Sequence, residues 1–305
     1  MKKVLFTIFL ILLAAISFSN TLTVGTGEGE YATIKEAVDA AVDGDTVFIK
    51  EGTYNEKLDL RKSIEIVGEN VENTIINNTE EKPTFNVYKA KDFVIKNLTL
   101  KAEKISLQIT KGVGIVENVK IMIKKYGVLI SSGEIDFNNC YFYTLENLDD
   151  YESAVKKTTG IMVYGQCDLN ISNSTFKQCN YGLYFSFSGF ANIKDSSFIS
   201  NNNAIWVARE GQFIIQGNNF IHNFDEAIGL TGEGKLTISE NTFSENVKRD
   251  IIFSIPDCGA CGCSSSKFTG VASGANNVSN KAVLSDSICP VDYWPEDFMN
   301  VDSAE

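Results

Sequence analysis

The sequence predicts an all-β solenoid, a single chain wound into stacked coils. Two observations carry this. The first is a repeated six-residue pattern: an apolar residue, two mostly polar ones, a small or apolar one, one further residue, then a bulky apolar one. It occurs seven times, as Ile95–Leu100, Val116–Ile121, Phe137–Phe142, Ile171–Phe176, Ile193–Phe198, Ile215–Phe220 and Ile238–Phe243. The closing residues are 21, 21, 34, 22, 22 and 23 positions apart. A period in the low twenties with strand-like alternation marks a chain in which each repeat buries its apolar face against the next. The second is composition. Glycine, asparagine and serine are plentiful, with only 4 prolines and 1 histidine, which suits short strands joined by tight turns.

Residues 1–19 read as an export signal. Lys2 and Lys3 form a charged start, Val4–Ile16 is an apolar run broken only by Thr7, and Ser17-Phe18-Ser19 offers small residues for cleavage after Ser19. The run is too short to cross about 30 Å of hydrocarbon, and no cysteine stands at the cut to carry a lipid. No later segment is expected to span a membrane. Losing Lys2 and Lys3 takes the formal charge from −12 to −14. So acidic a chain lacks the basic face that nucleic acid or an anionic membrane surface requires. The expected location is secreted, periplasmic or cell-surface.

After Leu22-Thr23-Val24 and a glycine-rich turn comes one short helix. Thr33 is its expected cap, with Glu36 as the reciprocal partner. Ile34, Ala37, Val38 and Ala41 share one face, and Gly44-Asp45 ends it. Thr46–Lys50 reads as a strand, Gly52-Thr53-Tyr54 as a turn and Ile64–Val67 as a strand. A helix over the first coil would cover an open sheet edge.

In the repeats, three residues beyond the bulky closing residue stands an asparagine or its substitute: Cys179, Asn201, Asn223, Asn246. Stacked, these amides would bond the turn backbone and one another. A second strand follows in each coil: Gly160–Val163, Gly182–Phe185, Ala204–Val207, Ala227–Leu230 and Asp250–Phe253. Period-two alternation turns Ile161 and Val163, Leu183 and Phe185, Ile205 and Val207, Ile228 and Leu230, and Ile251 and Phe253 inward.

Three stretches carry a resemblance: residues 31–47, YATIKEAVDAAVDGDTV; residues 52–56, GTYNE; and residues 64–68, IEIVG. They resemble the N-terminal cap of exported β-helix proteins of the pectin-lyase-like superfamily, pectin methylesterases among them. With the repeats, the resemblance covers residues 22–255. It implies a single-stranded right-handed parallel β-helix over residues 20–255 with a short N-terminal capping helix, and because the last coil must be covered as the first is, residues 256–305 are expected to form a cysteine-rich C-terminal cap. The fold hosts lyases, hydrolases, esterases, adhesins and inert scaffolds, so it does not by itself name an activity.

The 34-residue gap holds an acidic insertion, Leu145–Lys157, which in a solenoid becomes a loop on one face. Beyond Pro256 the repeat is lost. Cys258, Cys261, Cys263 and Cys289 lie in this tail. They are disulfide or metal candidates, a tetrahedral zinc or iron–sulfur site being the alternative to two disulfides. Export favours disulfides, and no metal or other cofactor is expected. Cys140 and Cys179 occupy repeat positions as buried fillers, and Cys167 falls in a turn.

The residue sets that catalyse on this fold are missing. Only Arg61, Arg209 and Arg249 are present as arginines, and the Leu-Gly-Arg-Pro-Trp stretch that the resemblance to pectin methylesterases would imply is not among them. Adjacent aspartates occur only as Asp149-Asp150, in the insertion. Arg209 with Glu210, Asp225 and Glu226 is the one arrangement that could serve a lyase, and surface ion pairing explains it as well. His222 reads as a solvent-facing turn residue.

The functional signal is aromatic. Outward positions of the second strand are Met162, Tyr184, Trp206, Gly229 and Ile252, with successive coils about 4.8 Å apart. Tyr184 and Trp206 are therefore neighbours, with Tyr181, Phe187, Phe190 and Arg209 around them. Such a strip can stack against the apolar faces of sugar rings; the alternative is that the insertion covers it. The expected function is a non-catalytic polysaccharide-binding or cell-envelope protein whose partner is a glycan, and the alternative is a polysaccharide lyase or esterase with an unrecognised site.

Overall fold

The computed structural model describes residues 19–144, 157–186, 189–209, 211–231, 234–253, 271–281, 288–289 and 299–301. The export signal, nearly all of the 145–157 insertion, Phe187, Glu210, Cys258, Cys261 and Cys263 lie outside these residues, as does the side chain of Cys289.

Ile34–Ala40 is an α-helix. Glu36 N–H donates to the Thr33 hydroxyl at 3.2 Å and Thr33 N–H to the Glu36 carboxylate at 3.3 Å, closing the reciprocal cap. Ile34, Ala37 and Val38 are buried. The Gly52-Thr53-Tyr54 segment is not a turn: Gly52–Asn55 is a strand, paired in parallel with Thr74–Asn78.

From there the chain is a parallel β-solenoid in which each strand pairs with the equivalent strand one coil on. A regular coil has three strands rather than two. Cys167–Ser172, Gly189–Lys194, Gly211–Gln216 and Gly234–Ser239 form the first sheet. Thr175–Lys177, Ser197–Ile199, Asn219–Ile221 and Thr242–Ser244 form the second. Thr159–Val163, Tyr181–Phe185, Asn203–Val207, Glu226–Leu230 and Arg249–Phe253 form the third.

The six-residue repeat is therefore a corner and not a strand. Its third residue has positive φ in every copy: Asn97, Asn118, Asn139, Asn173, Asp195, Gly217 and Glu240, between 49° and 67°. One left-handed residue bends the chain between the first and second sheets, and Asn, Asp and Gly tolerate that conformation best. A second left-handed corner follows Phe176, Phe198, Phe220 and Phe243, at Gln178, Ser200, His222 and Glu245.

The residue after each corner turns inward, which produces two ladders. In the expected one, the N–H groups of Cys179, Asn201 and Asn223 donate to the side-chain oxygens of Asn201, Asn223 and Asn246 at 2.9–3.1 Å. The second ladder stands at a repeat position read as small or apolar. There the N–H groups of Ser196, Asn218 and Asn241 donate to Asn218, Asn241 and Asn277 at 2.9–3.1 Å.

Between the ladders runs a phenylalanine column. The rings of Phe142, Phe176, Phe198, Phe220 and Phe243 stack at 4.4–5.1 Å with interplanar angles of 6–10°. The inward residues of the third sheet, Ile161, Leu183, Phe185, Ile205, Val207 and Ile228 among them, are buried as alternation requires. Cys140 and Cys179 are buried free thiols, and burial pushes each up to about 12. Cys167 is not in a turn. It opens a strand of the first sheet and is likewise buried and free.

Candidate functional site

The third sheet presents the aromatic residues on its outer face. Tyr184 and Trp206 are partners in register on successive coils. Tyr181 links them: its ring lies 5.0 Å from Tyr184 and 6.5 Å from Trp206, edge-on to both. All three are half-buried. The Trp206 indole leans over the following coil, where Gly229 has no side chain to obstruct it; a Cβ there would stand 2.2 Å from the ring. Arg209 is exposed in the turn that follows.

Each strand of this sheet begins one residue earlier than alternation suggests, at Thr159, Tyr181, Asn203, Glu226 and Arg249. These residues form a column of their own. Tyr181 is in register with Thr159 and with Asn203, and Glu226 with Arg249. The Asp225 N–H donates to the Asn202 carbonyl at 2.8 Å, which sets Glu226 beside Asn203. The next residues along, Gly182, Ala204, Ala227 and Asp250, are buried; a Cβ on Gly182 would stand 3.1 Å from Phe198. The column thus lies on the same side as Tyr184 and Trp206.

The column is polar and partly dehydrated. Asn203 is only 4% exposed, and among the described residues its side-chain oxygen has no hydrogen-bond partner. Burial, then the adjacent Asp225 carboxylate, pushes Glu226 up to about 7 against the pull of Lys248 and Arg249. Lys248 pairs with Asp225. Tyr181 is raised by burial and by Tyr184, Asp225 and Glu226. A carboxyl that exchanges its proton near neutrality can donate or accept a hydrogen bond there.

Sequence reasoning found the aromatic residues but not Asn203. It met Asp225 and Glu226 as partners of Arg209 in a possible lyase arrangement or as surface charges, not as neighbours of the aromatic residues. The available signal was the residue before each second strand, which is polar or aromatic in all five coils.

The first sheet carries a separate groove of about 580 Å³, lined by Asp92, Glu134, Asp136, Asp168, Ile115 and Phe190 with their neighbours. Asp136 accepts from Asn170 at 2.7 Å. Among the described residues no three acidic, histidine or cysteine side chains converge as metal ligands. His222 is a left-handed corner residue, half-exposed, 3.7 Å from Glu245.

The family model described as the right handed beta helix region matches residues 110–287, more than half of the chain. The chain belongs to the right-handed beta helix family. As a member of it, the protein is similar in structure to the pectate lyase Pel9A, with 13% identity, 95% of this chain and 80% of that one covered, and a TM-score of 0.62. It is similar to the pectin methylesterase from carrot, with 14% identity, coverage of 95% and 90%, and a TM-score of 0.52. It is also similar to ORF18 of Geobacillus virus E2, with 14% identity, coverage of 88% and 62%, and a TM-score of 0.56. At these identities the likeness is one of fold. No curated protein sequence matches the chain. Among the described residues no helix is long and apolar enough to cross a membrane.

Proposed function

We propose that the protein is an exported polysaccharide-binding β-helix protein that holds an extended glycan against Tyr181, Tyr184 and Trp206. The observation that carries this reading is the ring cluster. Tyr181 packs edge-on against both Tyr184 and Trp206, which are register partners on successive coils of the outer face of the sheet. Rings half-open to solvent can stack on sugar faces while adjacent polar groups take the hydroxyls. Arg209, exposed in the turn after Trp206, would stand at the rim of this surface; Phe187, the other expected rim residue, lies outside the described residues. The pectate lyase and pectin methylesterase that share the fold are named for polysaccharides, which supports a glycan partner. The charged and apolar start of the chain supports export to the periplasm, cell surface or medium, where the tail cysteines would be oxidised.

A glycan array followed by titration calorimetry tests the reading. Trp206→Ala is expected to weaken binding by about 1–3 kcal/mol, a factor of about 5 to about 150. Equal affinity in the variant would dismiss the platform.

One observation favours the enzymatic alternative. Asp225 and Glu226 are adjacent carboxyls beside the platform, and Glu226 is raised towards neutrality, where a general acid or base works best. Release of unsaturated products or methanol from pectin polymers, lost in Glu226→Gln, would move the protein to the lyase or esterase class.

A further inference from the structure

We propose that the glycan held by this face is uncharged, and that its hydroxyl groups bond to Asn203 and Glu226, so that uronate polymers are poor ligands. The inference rests on the platform reading above and names what that platform selects.

The argument begins with Asn203. It is 4% exposed, stands between Tyr181 and Glu226 in the column, and its Oδ1 has no partner among the described residues. A buried polar atom left unbonded costs about 1–3 kcal/mol, so such atoms are rare unless something supplies the missing bond. Its neighbours on the outer face are the half-exposed Tyr181 and Glu226. Both are side chains that a ligand can turn aside, and the Tyr181 ring already reaches Trp206. The missing partner therefore arrives from the side where a stacked sugar would lie.

The chemistry of the cluster then chooses the ligand. Its available groups are the Asn203 amide and two carboxyls, Asp225 and Glu226. A hydroxyl both donates and accepts, so it satisfies the amide whichever way that amide is turned. An ionised uronate only accepts, and the two carboxyls beside the amide offer it no donor unless one of them first takes up a proton. The cations nearby offer no compensation. Lys248 is already paired with Asp225, and Arg249 is not free. The same pairing leaves no excess negative charge to select an amino sugar.

The experiment is calorimetry with cellohexaose, xylohexaose, laminarihexaose and hexagalacturonate on the full chain. Thermal unfolding of each variant is measured in parallel. At least one neutral hexasaccharide should bind tenfold or more tightly than hexagalacturonate. Asn203→Leu should lose tenfold or more on that neutral ligand while its melting temperature holds or rises. An orphan amide with only a structural role would gain stability and leave affinity unchanged, which overturns the proposal. Glu226→Gln, which keeps the shape and removes the charge, should narrow the gap between neutral and acidic ligands. Preference for hexagalacturonate that depends on Trp206 overturns the specificity and leaves the platform standing. Binding of none of the four, or binding indifferent to Trp206→Ala, overturns both.

Discussion

The side-chain oxygen of Asn223 accepts the backbone N–H of Asn201, one coil earlier, at 3.1 Å, while its Nδ2 donates to the Phe198 carbonyl at 3.0 Å. The same oxygen also takes the Asn201 amide at 3.1 Å, and Nδ2 gives a further bond to Asn246 at 2.9 Å. One buried amide thus ties three coils together. Asn223→Leu leaves several of these groups unbonded, each costing about 1–3 kcal/mol. A loss of about 3 kcal/mol or more in urea unfolding is expected. A loss below 1 kcal/mol would mean that water enters the corner and replaces the amide.

Glu240 occupies a left-handed corner, at φ 59°, where six other repeats place Asn, Asp or Gly. A residue without their tolerance pays for that conformation in strain. Its exposed bond from Gln216, at 2.8 Å, offsets little. Glu240→Asn should raise stability by about 0.5–1 kcal/mol, read as a higher urea midpoint at unchanged slope.

Glu226 makes stability depend on pH with a definite sign. Burial and Asp225 raise it to about 7 from an ordinary value of 4.5. Across that interval the folded chain holds a proton that the unfolded chain releases, so this contribution is complete below about 4.5 and is lost as pH rises through about 7. Solvent and Lys248 screen the group, which discounts its size. The wild type should lose about 2–4 °C of melting temperature relative to Glu226→Gln between pH 5 and pH 8. Parallel curves for the two proteins would place Glu226 in water.

Gly229 lets the Trp206 indole lie flat against the next coil, since a Cβ would come within 2.2 Å of it. Gly229→Ala should push the ring outward, red-shift tryptophan emission and weaken glycan binding about tenfold. The melting temperature should hold, because alanine suits a strand better than glycine. Unchanged emission and affinity would show that the platform does not depend on this ring position.

Much of the fold was legible because a solenoid repeats its contacts at a constant sequence interval. The capping pair Thr33 and Glu36, the inward pairs of the third sheet and the ladder through Asn201, Asn223 and Asn246 all follow from spacing. The second ladder was concealed because its position changes character along the chain, from Leu98, Val119 and Cys140 through Ser174 and Ser196 to Asn218 and Asn241. The second corner was concealed because its residues, Gln178, Ser200, His222 and Glu245, share no preference for positive φ, whereas the first corner carries Asn, Asp or Gly in six of seven repeats and its trace was read only as polarity. Cys167 was misplaced for a related reason: the turn it seemed to occupy ends one residue before it.

By itself the sequence determined that the chain coils, where the repeats fall and that Tyr184 and Trp206 become neighbours. Period and alternation are local properties, and stacking copies them faithfully from one coil to the next. Only the tertiary structure decided that Tyr181 bridges the two rings, that Asn203 is buried without a partner for its oxygen, and that Glu226 stands beside Asp225 in a partly dehydrated column. Those properties depend on how far side chains from three coils shield one another from water. Shielding is a sum over neighbours about 22 residues apart in sequence, and no single repeat contains it.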